Sequence, residues 1–193
     1  MMEIVRMIVV LSAITGLSGY LLSEIKVLTT PIIEEQILLN IQGPALKKIF
    51  IEGTNDPIAD RKSMPKPGNE DESIIVFPSI KDGKLIAVAI EASGKGYGGD
   101  VNILVGFDVS RDVIQGISVT THKETPGLGS RIEETAFTKQ FRGLSPDQTA
   151  LKKDGGSIDA VSGATFSSLG AAAASKQAAA WYASLKDSIK TSW

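Results

Sequence analysis

An α+β fold, with a single N-terminal transmembrane helix ahead of an antiparallel sheet domain flanked by helices, is predicted by three features of this sequence. An uncharged apolar run opens the chain, short segments with period-two alternation fill its middle, and an alanine-rich segment with apolar residues at every fourth position closes it. At 193 residues the chain has room for one anchor and one domain with a proper core.

The opening run, MIVVLSAITGLSGYLL from Met7 to Leu22, would rise about 24 Å as a helix. A bilayer core is about 30 Å thick, and extension from Ile4 to Val27 closes the difference. Arg6 can snorkel to one interface while Glu24 and Lys26 lie at the other. A cleaved signal peptide would need a clearer small-residue cleavage site than LSGYLLSEI offers, so the segment reads as a retained anchor. Arg6 and Lys26 nearly balance across it and leave the orientation open.

Beyond Thr30 and Pro31, Ile33, Ile37 and Ile41 have helical spacing, with Glu34 and Glu35 near the positive helix start. Gly43 and Pro44 are expected to interrupt this helix. The stretch from Asp56 to Glu72 is dense in proline and charge and reads as a surface excursion before the sheet. Strands are expected at Ser73 to Phe77 and at Leu85 to Glu91, the second placing Ile86, Val88 and Ile90 on one face. From Val101 to Val109 the alternation is unbroken. Ser110, Arg111 and Asp112 then form a turn, and Val113 to Thr121 pairs back as a hairpin. After Ser168 a helix is expected, with Trp181, Leu185, Ile189 and Trp193 on one stripe. The resulting organisation is an anchor over 1–29, a helix and linker over 30–72, and a domain over 73–193.

Twenty Lys and Arg against 22 Asp and Glu give a net charge of -2, without the basic excess that nucleic acid attracts. There is no cysteine and only one histidine, His122. Disulfides, thiolate metal sites, cysteine-bound clusters and bis-histidine haem are therefore excluded within the chain, and redox chemistry here needs an organic cofactor. No metal site and no catalytic side chain is expected.

Three glycine-containing segments fall outside the regular pattern. GKGYGG, Gly94 to Gly99, holds four glycines around Lys95 and Tyr97 and permits close backbone approach to a ligand or to a neighbouring loop. It has neither the ending of a Walker loop nor the setting of a dinucleotide fingerprint, and it also reads as a turn. HKETPGLG, His122 to Gly129, brings Glu124 and Thr125 to a Pro-Gly turn followed by Leu128 and Gly129. Polar groups beside an apolar one suit a flavin, although turn chemistry alone accounts for the composition. His122 has no second ligand type near it and reads as structural. In DAVSGATFSS, Asp159 to Ser168, Ser167 or Ser168 is expected to cap the last helix and to bring its first amides close to Thr165. Such a position favours a phosphate, while the plainer reading is a capped helix after a small-residue turn.

The run DAVSGAT resembles the flavinylation motif Asp-x-x-Ser/Thr-Gly-Ala-Thr, in which a flavin transferase moves the FMN half of FAD onto the last threonine as a phosphoester. With GKGYGG and HKETPGLG in the same order upstream, the chain resembles the FMN-binding domain family. That family is shared by the G subunit of the Rnf ion-pumping oxidoreductase complex and the C subunit of the sodium-pumping NADH:quinone oxidoreductase. The short anchor-plus-domain layout is more similar to the Rnf protein.

The resemblance implies covalent FMN on Thr165, with Ser162, Gly163 and Ala164 shaping the attachment site and Asp159 read by the transferase. It implies flavin contacts from Glu124, Thr125, Leu128 and Gly129, and from Tyr97. It further implies a relay between ferredoxin and NAD in a cell (inner) membrane complex with other membrane, iron-sulfur or flavin subunits, and a flavin domain on the extracytoplasmic side. The alternatives are the quinone-reductase protein and a non-redox, membrane-tethered assembly module.

Overall fold

The computed structural model describes residues 2–193, which divide into two compact units after Asn40. The first unit is essentially one helix, α1 (Met2–Ile37), which buries none of its residues within the chain. Its apolar side chains from Ile4 to Ile33, Ile8, Leu11, Ile14 and Leu17 among them, are exposed, the state expected of a helix whose solvent is lipid. Among the described residues this is the one helical stretch long and apolar enough to cross a membrane. Pro31 lies inside α1, and the Thr30 hydroxyl just before it donates to the Lys26 carbonyl at 2.7 Å.

Gly43 and Pro44, expected to break a helix, instead open one. A π-helical turn, Leu38–Gln42, leads into α2 (Gly43–Ile49), where Pro44 falls in the first turn.

The second unit is built on a five-stranded antiparallel meander of β1 (Lys62–Lys66), β2 (Asn69–Lys81), β3 (Lys84–Lys95), β4 (Asp100–Asp108) and β5 (Val113–Thr121), in that spatial order. The sheet thus begins inside the segment expected to be a surface excursion. β1 is an edge strand, so Pro65 costs it no ladder bond that a neighbour needs, and Met64 anchors it by burial. Gly68, at φ 88°, makes the turn into β2.

Both faces of the sheet are covered. On one, Val88, Ile90, Val101, Ile103, Val105 and Phe107 pack against the long C-terminal helix α4 (Thr165–Ser192), which contributes Ala171, Ala174, Ala178, Tyr182, Leu185 and Ile189; a short helical turn, α3 (Thr135–Thr138), precedes it in the chain. Trp181 and Trp193 sit only partly buried at the margin of that stripe. Phe107 and Tyr182 stack with ring centroids 4.5 Å apart. The Tyr182 hydroxyl donates to Asp112 at 3.0 Å, and burial, reinforced by that carboxylate, pushes the phenol well above its ordinary pKa. On the other face α2 docks through Ile49. A Cβ on Gly106 would lie 2.2 Å from the Ile49 Cγ2, and Gly106 pairs with Gly116 on β5, so two adjacent glycines leave the notch that Ile49 fills.

α4 meets β3 at backbone distance. A Cβ on Gly94 would lie 2.1 Å from the Gly170 carbonyl oxygen, and one on Gly170 would lie 2.8 Å from the Gly96 nitrogen. Gly94→Ala is therefore expected to cost about 3 kcal/mol, the upper end of overpacking effects, because rigid backbone must move. A denaturant midpoint equal to that of the unmutated chain would contradict this.

The β4–β5 turn is organised by Asp108. Its Oδ1 accepts from the Ser110 and Arg111 amides at 3.0 and 2.9 Å and from the Ser110 hydroxyl at 2.7 Å, and its Oδ2 accepts from Arg111 Nε at 2.9 Å. Burial raises the carboxyl pKa, but these hydrogen bonds outweigh it and hold the group below its ordinary value. Asp108→Asn should lose about 1–2 kcal/mol at neutral pH. Because the native pKa is depressed, the deficit is present in full above about pH 4 and shrinks as pH falls through the native value. Denaturant midpoints at pH 7 and pH 3 measure both.

Candidate functional site

The three glycine-containing segments meet at the start of α4. Val161 to Ala164 form a turn closed by the Ala164 amide donating to the Val161 carbonyl at 2.9 Å, and Gly163 occupies its third position at φ 81°, a conformation that favours glycine. Thr165 is the first helical residue, and Ala164 in the cap position offers no side-chain acceptor. The expected cap from Ser167 or Ser168 is absent because both hydroxyls are engaged elsewhere. Ser168 Oγ donates to the Ala164 carbonyl at 2.9 Å and accepts from the Val161 amide at 3.0 Å, which ties the turn to the helix. Ser167 Oγ donates to Glu124 Oε2 at 2.6 Å. The helix therefore begins earlier than expected, and the amides of Thr165, Phe166 and Ser167, the first of its ladder, have no acceptor in the preceding turn. Thr165 itself is exposed.

Glu124 holds the surroundings together. It is 5% exposed, and while Oε2 receives Ser167, Oε1 accepts from the amides of Tyr97 and Gly98 at 2.9 and 3.0 Å. One carboxylate thus clasps the glycine loop to the first turn of α4. The glycines make room for it, since a Cβ on Gly96 would lie 2.3 Å from Oε1 and one on Gly129 would lie 2.7 Å from Oε2. His122 supports the clasp. Its Nδ1 accepts from the Glu124 amide at 3.0 Å, so its proton belongs on Nε2, which faces Glu133 Oε1 at 2.7 Å.

Between the loop, the turn after β5 and the helix start lies a cleft of about 380 Å³, lined by Tyr97, Glu124, Thr125, Leu128, Gly129 and the residues from Gly163 to Ser167. That size is within the range of small-molecule sites, roughly 300–1,000 Å³. Its rim is apolar and in solvent. Tyr97, Phe166 and Leu128 are 76, 64 and 46% exposed, and among the described residues of Ile41–Trp193 the other exposed large apolar side chains are Ile51 and Ile75. The rings of Tyr97 and Phe166 stand 6.4 Å apart at 44°. Exposed aromatic surface beside uncapped amides is the arrangement a planar ring bearing a phosphate requires.

Eight residues singled out from sequence, Tyr97, Glu124, Thr125, Leu128, Gly129, Gly163, Ala164 and Thr165, come together on this cleft. Ser162 does not. With Asp159 it lines a neighbouring groove that also holds Arg131 and Gln140. Asp159 Oδ2 accepts from Lys152 Nζ at 2.6 Å, and the Gln140 amide brackets the Asp159 backbone at both its N–H and its carbonyl. Sequence reasoning does not find Phe166 and Ser167 as lining residues, nor Gln140. Phe166 alone carries a signal, as a large apolar residue in the first turn of a helix whose other early residues are small.

Residues 96–180 match the model of the FMN-binding domain. The chain is 42% identical over 119 residues to the G subunit of the ion-translocating oxidoreductase complex of Stutzerimonas stutzeri, covering 58% of this chain and 51% of that protein. It therefore spans about half the length of that relative. To the corresponding protein of Methanosarcina acetivorans it is 30% identical over 169 residues, covering 86% of this chain and 87% of that one. The crystal structure of Shewanella oneidensis NqrC is similar with a TM-score of 0.51 at 25% identity, over 62% of each chain. Alike in sequence over 87% of the Methanosarcina acetivorans protein, and with an FMN-binding domain over residues 96–180, this chain belongs to the family of G subunits of the ion-translocating oxidoreductase complex.

Proposed function

We propose that this chain is an electron-transfer subunit that carries FMN covalently, as a phosphoester on Thr165, within a membrane complex coupling electron flow between ferredoxin and NAD to ion transport. The observation that carries the proposal is an exposed threonine hydroxyl at an uncapped helix start, beside a cleft with an apolar rim. The residues fit the cofactor at both of its ends. The unpaired amides of Thr165, Phe166 and Ser167 suit a phosphate, and Tyr97, Leu128 and Phe166 suit a ring system.

Thr165 Oγ1 would hold FMN as a phosphoester; taken from FAD, that ester would replace the pyrophosphate linkage, with AMP as the leaving group and the hydroxyl proton released. The exposure of Thr165 admits the transferase that performs this, and Asp159 and Ser162, on the adjoining groove, are the residues for it to read. FMN, when bound, supplies one- and two-electron redox chemistry. The chain's own part is to fix the phosphate at α4, to hold the glycine loop through Glu124, and to bury one face of the ring against the rim. Peptide mass spectrometry of protein from native membranes should find the flavin phosphate on Thr165, and the yellow colour should survive denaturation. A colourless protein with unmodified Thr165 would leave the assembly-module reading in its place.

The domain is proposed to lie outside the cytoplasm, with α1 retained as a single-pass anchor. Protease added to intact spheroplasts should then remove the domain and leave a membrane-bound fragment containing Met7 to Leu22. Protection in spheroplasts with cleavage in inverted vesicles would reverse the topology.

A further inference from the structure

A second cleft, of about 360 Å³, lies on the α2 side of the sheet and is separate from the flavin cleft. It is lined by Lys48 of α2, by Gly116 and Ser118 of the edge strand β5, and by Thr138, Lys139 and Arg142 of the segment that follows Glu133. Three cations from different parts of the chain converge there. Among the described residues none of them has a carboxylate within salt-bridge distance, whereas Lys66, Lys81, Arg111, Lys152 and Lys186 are all paired. The one acid on the cleft wall, Glu133, accepts a hydrogen bond from His122 Nε2 at 2.7 Å and leaves the wall with three cations against one carboxylate.

The floor is built for close approach. The Arg142 guanidinium lies over the strand at Gly116, 3.8 Å from where a Cβ would stand. Ser118, 8% exposed, turns a hydroxyl-bearing residue to the same wall. Three cations against one carboxylate leave an excess of positive charge, and the concave shape limits the neutralising partner to a small group rather than a flat protein face. Guanidinium, ammonium and hydroxyl donors on one wall match an oxyanion with several oxygens.

We infer that this cleft binds a phosphate group, delivered either by a soluble phosphate ester or by the headgroup of an anionic phospholipid. The test uses the full chain carrying Thr165→Ala, so that no flavin is attached and the outcome is independent of the flavin reading; phosphate taken up by the amides at the start of α4 is followed separately at Phe166 and Ser167. The protein is placed in phosphatidylcholine nanodiscs and titrated with inorganic phosphate while the Gly116 and Ser118 amide resonances are followed. Saturable shifts are expected, with a dissociation constant weakened about tenfold or more by Lys139→Gln/Arg142→Gln and by Lys48→Gln to a lesser degree. All three side chains are exposed, so the variants keep their fold, which an unchanged denaturant midpoint verifies.

A second arm replaces phosphatidylcholine with phosphatidylglycerol and omits phosphate. Shifts in the same amides there identify the lipid headgroup as the source, and shifts with inorganic phosphate alone identify a soluble ester. Shifts reproduced by chloride at equal ionic strength, shifts unchanged in the double variant, or no shifts in either arm overturn the proposal.

Discussion

Thr165→Ala is expected to yield a chain that folds, inserts and assembles but carries no covalent flavin. The side chain is exposed and its loss opens no core cavity, so stability should change by no more than about 0.5 kcal/mol. Thr165→Ser keeps a hydroxyl at the same point and should retain part of the flavin. The decisive comparison sets the composition of the purified complex against ferredoxin-dependent NAD reduction in the same membranes. Intact complex with electron flow and ion transport abolished together is the expected outcome. Intact complex running at the unmutated rate would show that this flavin is not an obligatory relay.

Glu124→Ala should be the most damaging change at a polar position. It removes the shared acceptor of the buried Ser167 hydroxyl and of the amides of Tyr97 and Gly98, which lie on an exposed loop. Stranding the Ser167 hydroxyl costs about 1–3 kcal/mol, while the two loop amides turn to water. Covalent flavin per chain should fall with it, since the glycine loop is no longer tied to the helix start. Glu124→Gln separates a clasp from a charge. Its carbonyl oxygen can accept both amides while its NH₂ donates to Ser167 Oγ, so most of the stability and loading should return. A glutamine variant as impaired as the alanine one would mean that the negative charge, not the hydrogen-bond geometry, is what the site requires.

The β4–β5 hairpin is legible in the sequence because Val101, Ile103, Val105 and Phe107 alternate on a strand with one face on α4, a pattern that local sequence carries in full. β1 is not, because Pro65 and Pro67 resemble a loop unless the strand is known to be an edge, which only the assembled sheet decides. The start of α4 is hidden by the same kind of gap. Serine near a helix start reads as a cap, yet Ser167 and Ser168 are drawn to Glu124 and Val161, the first of these 43 residues away along the chain. Resemblance locates most of the cleft, since its three segments are local runs. The clasp that joins two of them is a long-range contact, and nothing in the spacing of Glu124 announces it.

The bare cap position at Ala164 has a thermodynamic corollary. A helix start whose amides lack acceptors is less stable than a capped one by about 1 kcal/mol, so without a ligand the first turn of α4 should open more readily than the rest of the helix. A phosphate fixed there supplies the missing acceptors and engages only the closed turn. Folding and modification are then linked functions, each favouring the other. Native-state hydrogen exchange would register this as added protection at Phe166 and Ser167 on loading, graded away toward the middle of α4. On the proposed reading, maturation would do more than install a redox centre: it would also complete the helix that positions it.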